Sequence, residues 1–468
     1  MWSNKKYSLI SVTVFTLILY FLFAYSLERT SFYTLLFLWI GLFSSFYYLY
    51  RSNKTNFTFL VVISVLFRFV FLFSTPNLSQ DFYRFIWDGR MLLEGFNPYL
   101  SLPETFIEQK NYPINQAVEL YNGMGAMNGS HYTNYPPINQ LCFFIAALID
   151  NKSITGSIIV MRLLIILADI GILFYGKKLL EKLQLQKSTI FLYLLNPFVI
   201  VELTGNLHFE PVMLFFLVWG LYKLFQKKWV LSGVLIACSI SVKLIPLLFL
   251  PIFYQFFIKK ETSILKGLKK LVAFYLIIFV TIFLFFLPFF SSTLISNYSK
   301  SVGLWFKNFE FNASIYYLAR EIGFLFRGYN EIAIIGKIMP VLTVIFLGIV
   351  SFYKKNNSMK QIILSMLFGL SFYYFTTTTM HPWYLATLII LSVFTKYRFP
   401  IVWSLVIFLS YQAYANIPWK ENLWVISLQY SVVYGFLIYE VFLKNKPTQK
   451  LSGKNCYEKE KESGFINH

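Results

Sequence analysis

Lys5 and Lys6 stand immediately before an uncharged run, Tyr7-Ser8-Leu9-Ile10-Ser11-Val12-Thr13-Val14-Phe15-Thr16-Leu17-Ile18-Leu19-Tyr20-Phe21-Leu22-Phe23-Ala24-Tyr25-Ser26. That run is about 20 residues long, the length a helix needs to cross the hydrocarbon core of a bilayer. A second apolar run, 31–50, follows after a short polar gap, so the first reads as an uncleaved span and not as a signal peptide. The same pattern recurs along the chain. Of 468 residues, 57% are hydrophobic, 21% aromatic and 13% charged. A soluble domain carries about 25% charged residues, roughly twice what is available here to cover a water-facing surface. This composition excludes a soluble enzyme, a disordered chain and a disulfide-stapled secreted domain. The fold class that follows is an all-α polytopic membrane protein.

Lysine and arginine placement sets the topology. The net charge of +20 is concentrated in short loops between apolar runs, as expected of loops kept on the cytoplasmic side. Nucleic acid is therefore not a partner; the lipid bilayer is. With the N-terminus inside, Arg51 and Lys54 return inside, a third span (57–74) emerges outside, and 75–137 forms a long first external loop. The apolar piece Ile138 to Ile149 is too short to span. It reads as a helix on or dipping into the outer surface, which keeps Lys177, Lys178, Lys182 and Lys187 inside after the span 156–176. Further spans are expected at 189–204, 211–226, a broken pair across 230–258 interrupted by Lys243 and Pro246, 271–291, 334–353, 361–379, 384–396, 400–415 and 423–443. The count is about 12–14 crossings. Residues 1–443 read as one transmembrane domain and 444–468 as a weakly ordered, basic cytoplasmic tail. Cys142 and Cys238 lie in apolar segments and Cys456 in the tail, which gives neither a disulfide framework nor a metal site.

This topology, drawn without regard to chemistry, gathers the unusual polar clusters on the external side. They are Ser79 to Arg90, Gly95-Phe96-Asn97-Pro98-Tyr99, Asn134-Tyr135-Pro136-Pro137, Gly205-Asn206-Leu207-His208-Phe209-Glu210 and His381-Pro382-Trp383-Tyr384. Convergence of titratable groups on one aqueous face suggests a site. Asp81, Arg84 and Asp88 are spaced three and four apart and share one face of a helix over 80–93. Two carboxylates and a guanidinium there suit a base held in place by a cation. The spacing also fits a solvated amphipathic helix with local ion pairs. Trp87 and Trp383 read as interfacial anchors, and Tyr135-Pro136-Pro137 as the stop that sets the entry of the surface helix. Among ionisable residues inside apolar runs, Arg162 and Asp169 are expected to pair on one helix face. Arg68 and Lys243 are expected to anchor a lipid phosphate, or to snorkel or pair. His208, Glu210 and His381 lack the spacing of a metal motif, so no metal is expected.

These residues carry a recognisable pattern. Asp81-Phe82-Tyr83-Arg84-Phe85-Ile86-Trp87-Asp88-Gly89-Arg90 followed by Gly95-Phe96-Asn97-Pro98-Tyr99 resembles the first external loop of GT-C glycosyltransferases. The likeness is strongest to the polyprenol-phosphate-mannose-dependent α-mannosyltransferases and glycosyltransferase family 87-like groups. Tyr135-Pro136-Pro137, Asn196-Pro197 with Glu202, the His208 and Glu210 piece, and Lys243-Leu244-Ile245-Pro246 are similar and come in the same order. Two departures stand out: two spans precede the one leading into the loop, and Glu210 occupies a position often written Asp. The resemblance implies a GT-C-type bundle in the cell (inner) membrane with its active site on the external, periplasmic side. It implies Asp81 as general base, with Arg84, Trp87, Asp88, Asn97, Tyr135, His208, Glu210 and His381 around the substrates, and no cofactor. The implied donor is a polyprenyl-phosphate sugar, since nucleotide sugars are cytoplasmic, and the acceptor an external glycan or glycolipid. Phosphate is already a good leaving group, so one carboxylate suffices, whereas glycoside hydrolases use two. A single displacement inverts the anomeric centre. The developing phosphate charge would be met by Arg68, Arg84, Lys243 or His381. A transporter or flippase for lipid-linked sugar is the alternative, and it would call for a mid-bilayer site and internal repeats. A structural scaffold would leave the external charges unassembled.

Overall fold

The computed structural model describes residues 2–307, 309–416 and 418–444; the tail expected beyond Lys444 lies outside the described residues. Those residues form helices throughout, with one isolated bridge pairing Phe311 and Thr379. Six helices are long and apolar enough to cross a bilayer: Tyr7–Tyr25, Phe32–Ser52, Ile154–Lys182, Ile264–Phe289, Ile332–Phe352 and Leu423–Leu443. A seventh unit, Lys187–Leu194 with Val199–Gly205, is bent by 59°. Among the described residues this gives six crossings by length and composition, or seven with the bent unit, fewer than the 12–14 expected; the other expected positions hold shorter or less apolar helices, among them Phe57–Phe69, Glu210–Phe225, Met359–Thr376, Pro382–Val393 and Phe399–Ala415. The 230–258 stretch is two short helices, Trp229–Ile240 and Ile245–Ile258, with Lys243 and Pro246 at the break.

The N-terminal part proceeds as α1 (Trp2–Tyr25), α2 (Phe32–Ser52) and α3 (Phe57–Phe69). The loop expected at 75–137 holds α4 (Asp81–Leu93), α5 (Pro103–Glu108) and α6 (Ala117–Gly129). It is followed by the short α7 (Pro137–Ile149), which opens on Pro137, and then the long α8 (Ile154–Lys182). Hydrogen bonds fix which ends lie together. The Asn77 amide donates to the carbonyls of Phe23 and Leu27 at 2.8 and 3.1 Å, and the Tyr25 hydroxyl donates to Val70 at 3.1 Å. At the other end the Lys177 ammonium sits 5.1 Å from the Phe57 ring. The α1–α2 turn and the long loop therefore share one end of the bundle, and the basic loop the opposite one.

α4 is the element the site hangs from, and it is seated by α7. The Phe85 and Phe143 rings stack at 4.7 Å. Gly89 permits this approach, because a Cβ there would lie 2.2 Å from the Phe143 carbonyl oxygen. A backbone neighbour cannot swing aside. Gly89→Ala is expected to push α4 off α7 and cost about 1–3 kcal/mol of stability, the usual range for overpacking. Thermal unfolding of the purified protein in detergent measures it.

Candidate functional site

Asp81 opens α4, and the turn before it is held by residues far along the chain. The Leu78 amide donates to the Asn206 side-chain carbonyl at 2.8 Å, while the Asn206 amide group donates to the Val201 carbonyl at 3.0 Å. The segment it reaches is irregular: Val199–Gly205 is a π-helical turn and Leu207 adopts φ +60°. A β-unbranched but bulky residue in the left-handed region is held there against a local cost. Arg162 supplies the restraint. Its guanidinium donates to the carbonyls of Thr204 and Gly205 at 2.9 and 2.8 Å, and to those of Leu72 and Ser74 at 2.9 and 2.8 Å. One buried side chain thus ties the exit of α3 to the segment that presents His208. The expected Arg162–Asp169 pair is not formed, because these carbonyls occupy the guanidinium.

A cavity of about 560 Å³ opens where these segments meet. Asp81, Arg84, Tyr135, Lys243 and His381 all line it, so residues spread over 300 positions of sequence share one space. Asp88, His208 and Glu210 stand behind that wall. Arg84 Nε donates to Asp88 Oδ1 at 2.8 Å, and its Nη1 donates to the carbonyls of Asn128 and His131 at 2.5 and 2.9 Å. Gln140 donates to Asp88 Oδ2 at 3.0 Å. The Lys243 ammonium is paired with Glu210. Trp383 lies between two imidazoles, with the His208 ring at 3.9 Å and the His381 ring at 4.5 Å. Rather than anchoring at an interface, Trp383 forms part of the cavity wall.

Asp81 carries the electrostatic signature of the site. Burial raises its carboxyl above the ordinary aspartate range, opposed by Lys243, by the Asn128 amide at 3.4 Å, by Arg29 and by Ser79. Burial pushes His208 well below the usual histidine range, and Lys243 and His381 reinforce that shift. His381 is pushed down to about 3 by burial, Lys243 and Arg29. Both rings are neutral at physiological pH, so the cavity's charge rests on Asp81, its two ion pairs and Arg29.

Three expected site positions fall elsewhere. Arg68 is 1% exposed and paired with Asp169 at 2.7 Å, so it offers nothing to a lipid phosphate. Trp87 is 2% exposed and packs near Phe106, away from both cavity and surface. Asn97 organises its own turn: its amide group donates to the Phe289 carbonyl and its carbonyl accepts from the Tyr99 amide, both at 3.0 Å. It lines a separate apolar groove of about 530 Å³ beside Phe96, Ile138 and Leu284. Asp169 pairs with Arg68, 101 residues away, and not with Arg162, because spacing along one helix carries no information on pairing between helices. The structure adds Arg29, Asn128, His131 and Tyr414 to the wall. Arg29 had a legible signal: a cation in a short loop at the end where positive charge is depleted.

Residues 11–259 match the family described as alpha-(1->6)-mannopyranosyltransferase, N-terminal domain. The chain belongs to this family. The match includes Arg29, Asp81, Arg84, His208, Glu210 and Lys243, and ends before His381 and Tyr414. Alpha-(1->6)-mannopyranosyltransferase B of Corynebacterium glutamicum is 24% identical over 187 residues, covering 37% of this chain and 30% of the relative. Alpha-(1->6)-mannopyranosyltransferase A of the same organism is 23% identical over 189 residues, covering 38% and 35%. Its namesake in Mycobacterium tuberculosis is 24% identical over 174 residues, covering 37% and 32%. The matched part of the chain spans about a third of the length of these mannopyranosyltransferases.

Proposed function

We propose that this protein is an inverting mannosyltransferase of the cell membrane that takes mannose from a polyprenyl-phosphate donor and places it on an external glycan or lipid acceptor. The observation that carries this reading is Asp81: a carboxylate of raised proton affinity in a cavity lined by both polar and apolar side chains. Leu244, Leu247, Leu248, Pro340 and Val344 form the apolar part, suited to the lipid chain of such a donor. Asp81 accepts the proton of the acceptor hydroxyl while that oxygen attacks the anomeric carbon. The bond from that carbon to the phosphate oxygen breaks, its electron pair leaves with the phosphate, and configuration at the carbon inverts. Arg84, locked to Asp88, to the Asn128 carbonyl at the end of α6 and to the His131 carbonyl beyond it, holds Asp81's helix against the start of the α6–α7 connection. Tyr135, Trp383 and His381 are placed to contact the sugar. His208 and Glu210 act through Trp383 and Lys243.

The test is a membrane assay offering polyprenyl-phosphate mannose, glucose and arabinose with total cell glycolipids as acceptors. Transfer from the mannose donor is expected, with an α-linked product from a β-linked donor. Turnover of glucose or arabinose alone overturns the sugar assignment. Turnover of none overturns the transferase reading.

A further inference from the structure

Three cations face the cavity: Arg29, Arg84 and Lys243. Two are already neutralised. Arg84 is spent on Asp88 and two carbonyls, and Lys243 is paired with Glu210. Arg29, on the turn between α1 and α2, makes no hydrogen bond or ion pair among the described residues, and its Nε is buried without a partner. Its guanidinium lies 3.2 Å over the ring of Tyr414, which lines the same cavity. A contact through the face of the guanidinium leaves its N–H groups available, and an arginine so held can bind phosphate through two parallel hydrogen bonds.

We infer that Arg29 is the phosphate-holding residue of the cavity and that it takes the single phosphate of a lipid monophosphate. This rests on the transferase reading above and names the group that receives the leaving charge. As the acceptor oxygen bonds to the anomeric carbon, the carbon–oxygen bond to the phosphate breaks and Asp81 takes the proton. The phosphodiester monoanion becomes a monoester, with additional negative charge on the departing oxygen. A guanidinium held in place before the reaction stabilises that charge without reorganising. One cation with no carboxylate bonded to it among the described residues matches one phosphate. A diphosphate would bring a second anionic group to a wall whose other cations are occupied.

The experiment compares the full-length protein with Arg29→Gln and Arg29→Lys, each checked for an unchanged unfolding temperature. Readouts are the KM for polyprenyl-phosphate mannose, the KM for acceptor, and inhibition by sugar-free polyprenyl phosphate, polyprenyl diphosphate and inorganic phosphate. Arg29→Gln is expected to raise the donor KM and the polyprenyl-phosphate inhibition constant about tenfold or more, the worth of a charge-assisted hydrogen bond. The acceptor KM is expected to stay put. Arg29→Lys recovers part of the loss, since the charge returns without the fork. An unchanged donor KM, or an equal rise in both KM values, overturns the assignment. Inhibition by inorganic phosphate at the lipid's concentration reassigns the site to free phosphate, and equal inhibition by the diphosphate overturns the monophosphate claim. If the wild-type protein turns over no polyprenyl-phosphate sugar, the transferase reading fails alone. Polyprenyl-phosphate binding by wild type and Arg29→Gln, read as a ligand-induced rise in unfolding temperature, then decides Arg29: a loss in the variant supports its role and no difference overturns it.

Discussion

Replacing Asp81 with asparagine is expected to lower mannose transfer by about two to four orders of magnitude, the range that a positioned general base contributes. Asparagine keeps the shape and cannot accept the acceptor's proton. The fold has little stake in the carboxylate, because the hydrogen bonds to it are only the long 3.4 Å contact from Asn128 and one from the neighbouring Ser79. Unfolding temperature and membrane yield should therefore match wild type while turnover is lost. The pH profile adds a second check. Burial raises the Asp81 carboxyl above its ordinary range, and a base works only when deprotonated. The acid limb of kcat/KM is expected above pH 4, about the pKa of an unperturbed aspartate. Activity is full above that limb and falls as pH drops through it. His208 and His381, both shifted downward, stay neutral throughout and add no second limb near pH 6 to 7. Arg29 and Lys243 both hold the Asp81 value down, so Arg29→Gln should move the limb upward. Full activity in Asp81→Asn membranes would remove Asp81 as the base.

Spacing along the chain made the fold legible where one helix could be judged by itself. The runs at 7–26, 31–50, 156–176, 271–291, 334–353 and 423–443 each became a long helix. The short piece Ile138 to Ile149 became the 13-residue α7, and the Lys243 and Pro246 interruption became the break between two short helices. Within the site, Asp81, Arg84 and Asp88 could be grouped because a helix brings positions three and four apart onto one face. What the sequence hid was pairing across helices. Nothing near Arg68 in sequence points to Asp169, and nothing near Glu210 singles out Lys243. For Arg29 the loop position is the only signal: it belongs to no motif, and its meaning depends on Tyr414, 385 positions later and across the cavity. Trp383 reads as a belt residue from sequence, because a tryptophan beside an apolar run usually is one. Only its position between His208 and His381 shows that its face is taken.

Arg68→Met supplies the second large effect, and its direction separates a structural cation from a ligand-binding one. Arg68 and Asp169 are 2% and 3% exposed in their side chains, with Nε donating to Oδ2 at 2.7 Å. Arg68 Nη1 also donates to the carbonyls of Ser64 and Leu194 at 2.8 and 2.6 Å. The pair therefore joins α3 and α8 to the bent unit leading to His208. Removing one partner leaves a buried charge uncompensated, a loss of about 3–5 kcal/mol. Arg68→Met should unfold at markedly lower temperature in detergent, and any activity it retains at low temperature should show the wild-type donor KM. Desolvating two ions is itself costly, so a paired replacement by apolar side chains, Arg68→Met with Asp169→Leu, should recover much of what either single change loses. The non-additivity is the decisive measurement. A phosphate anchor would show the reverse pattern, with stability intact, donor KM raised and no rescue from Asp169→Leu, because the missing partner would then be the substrate and not a carboxylate on α8.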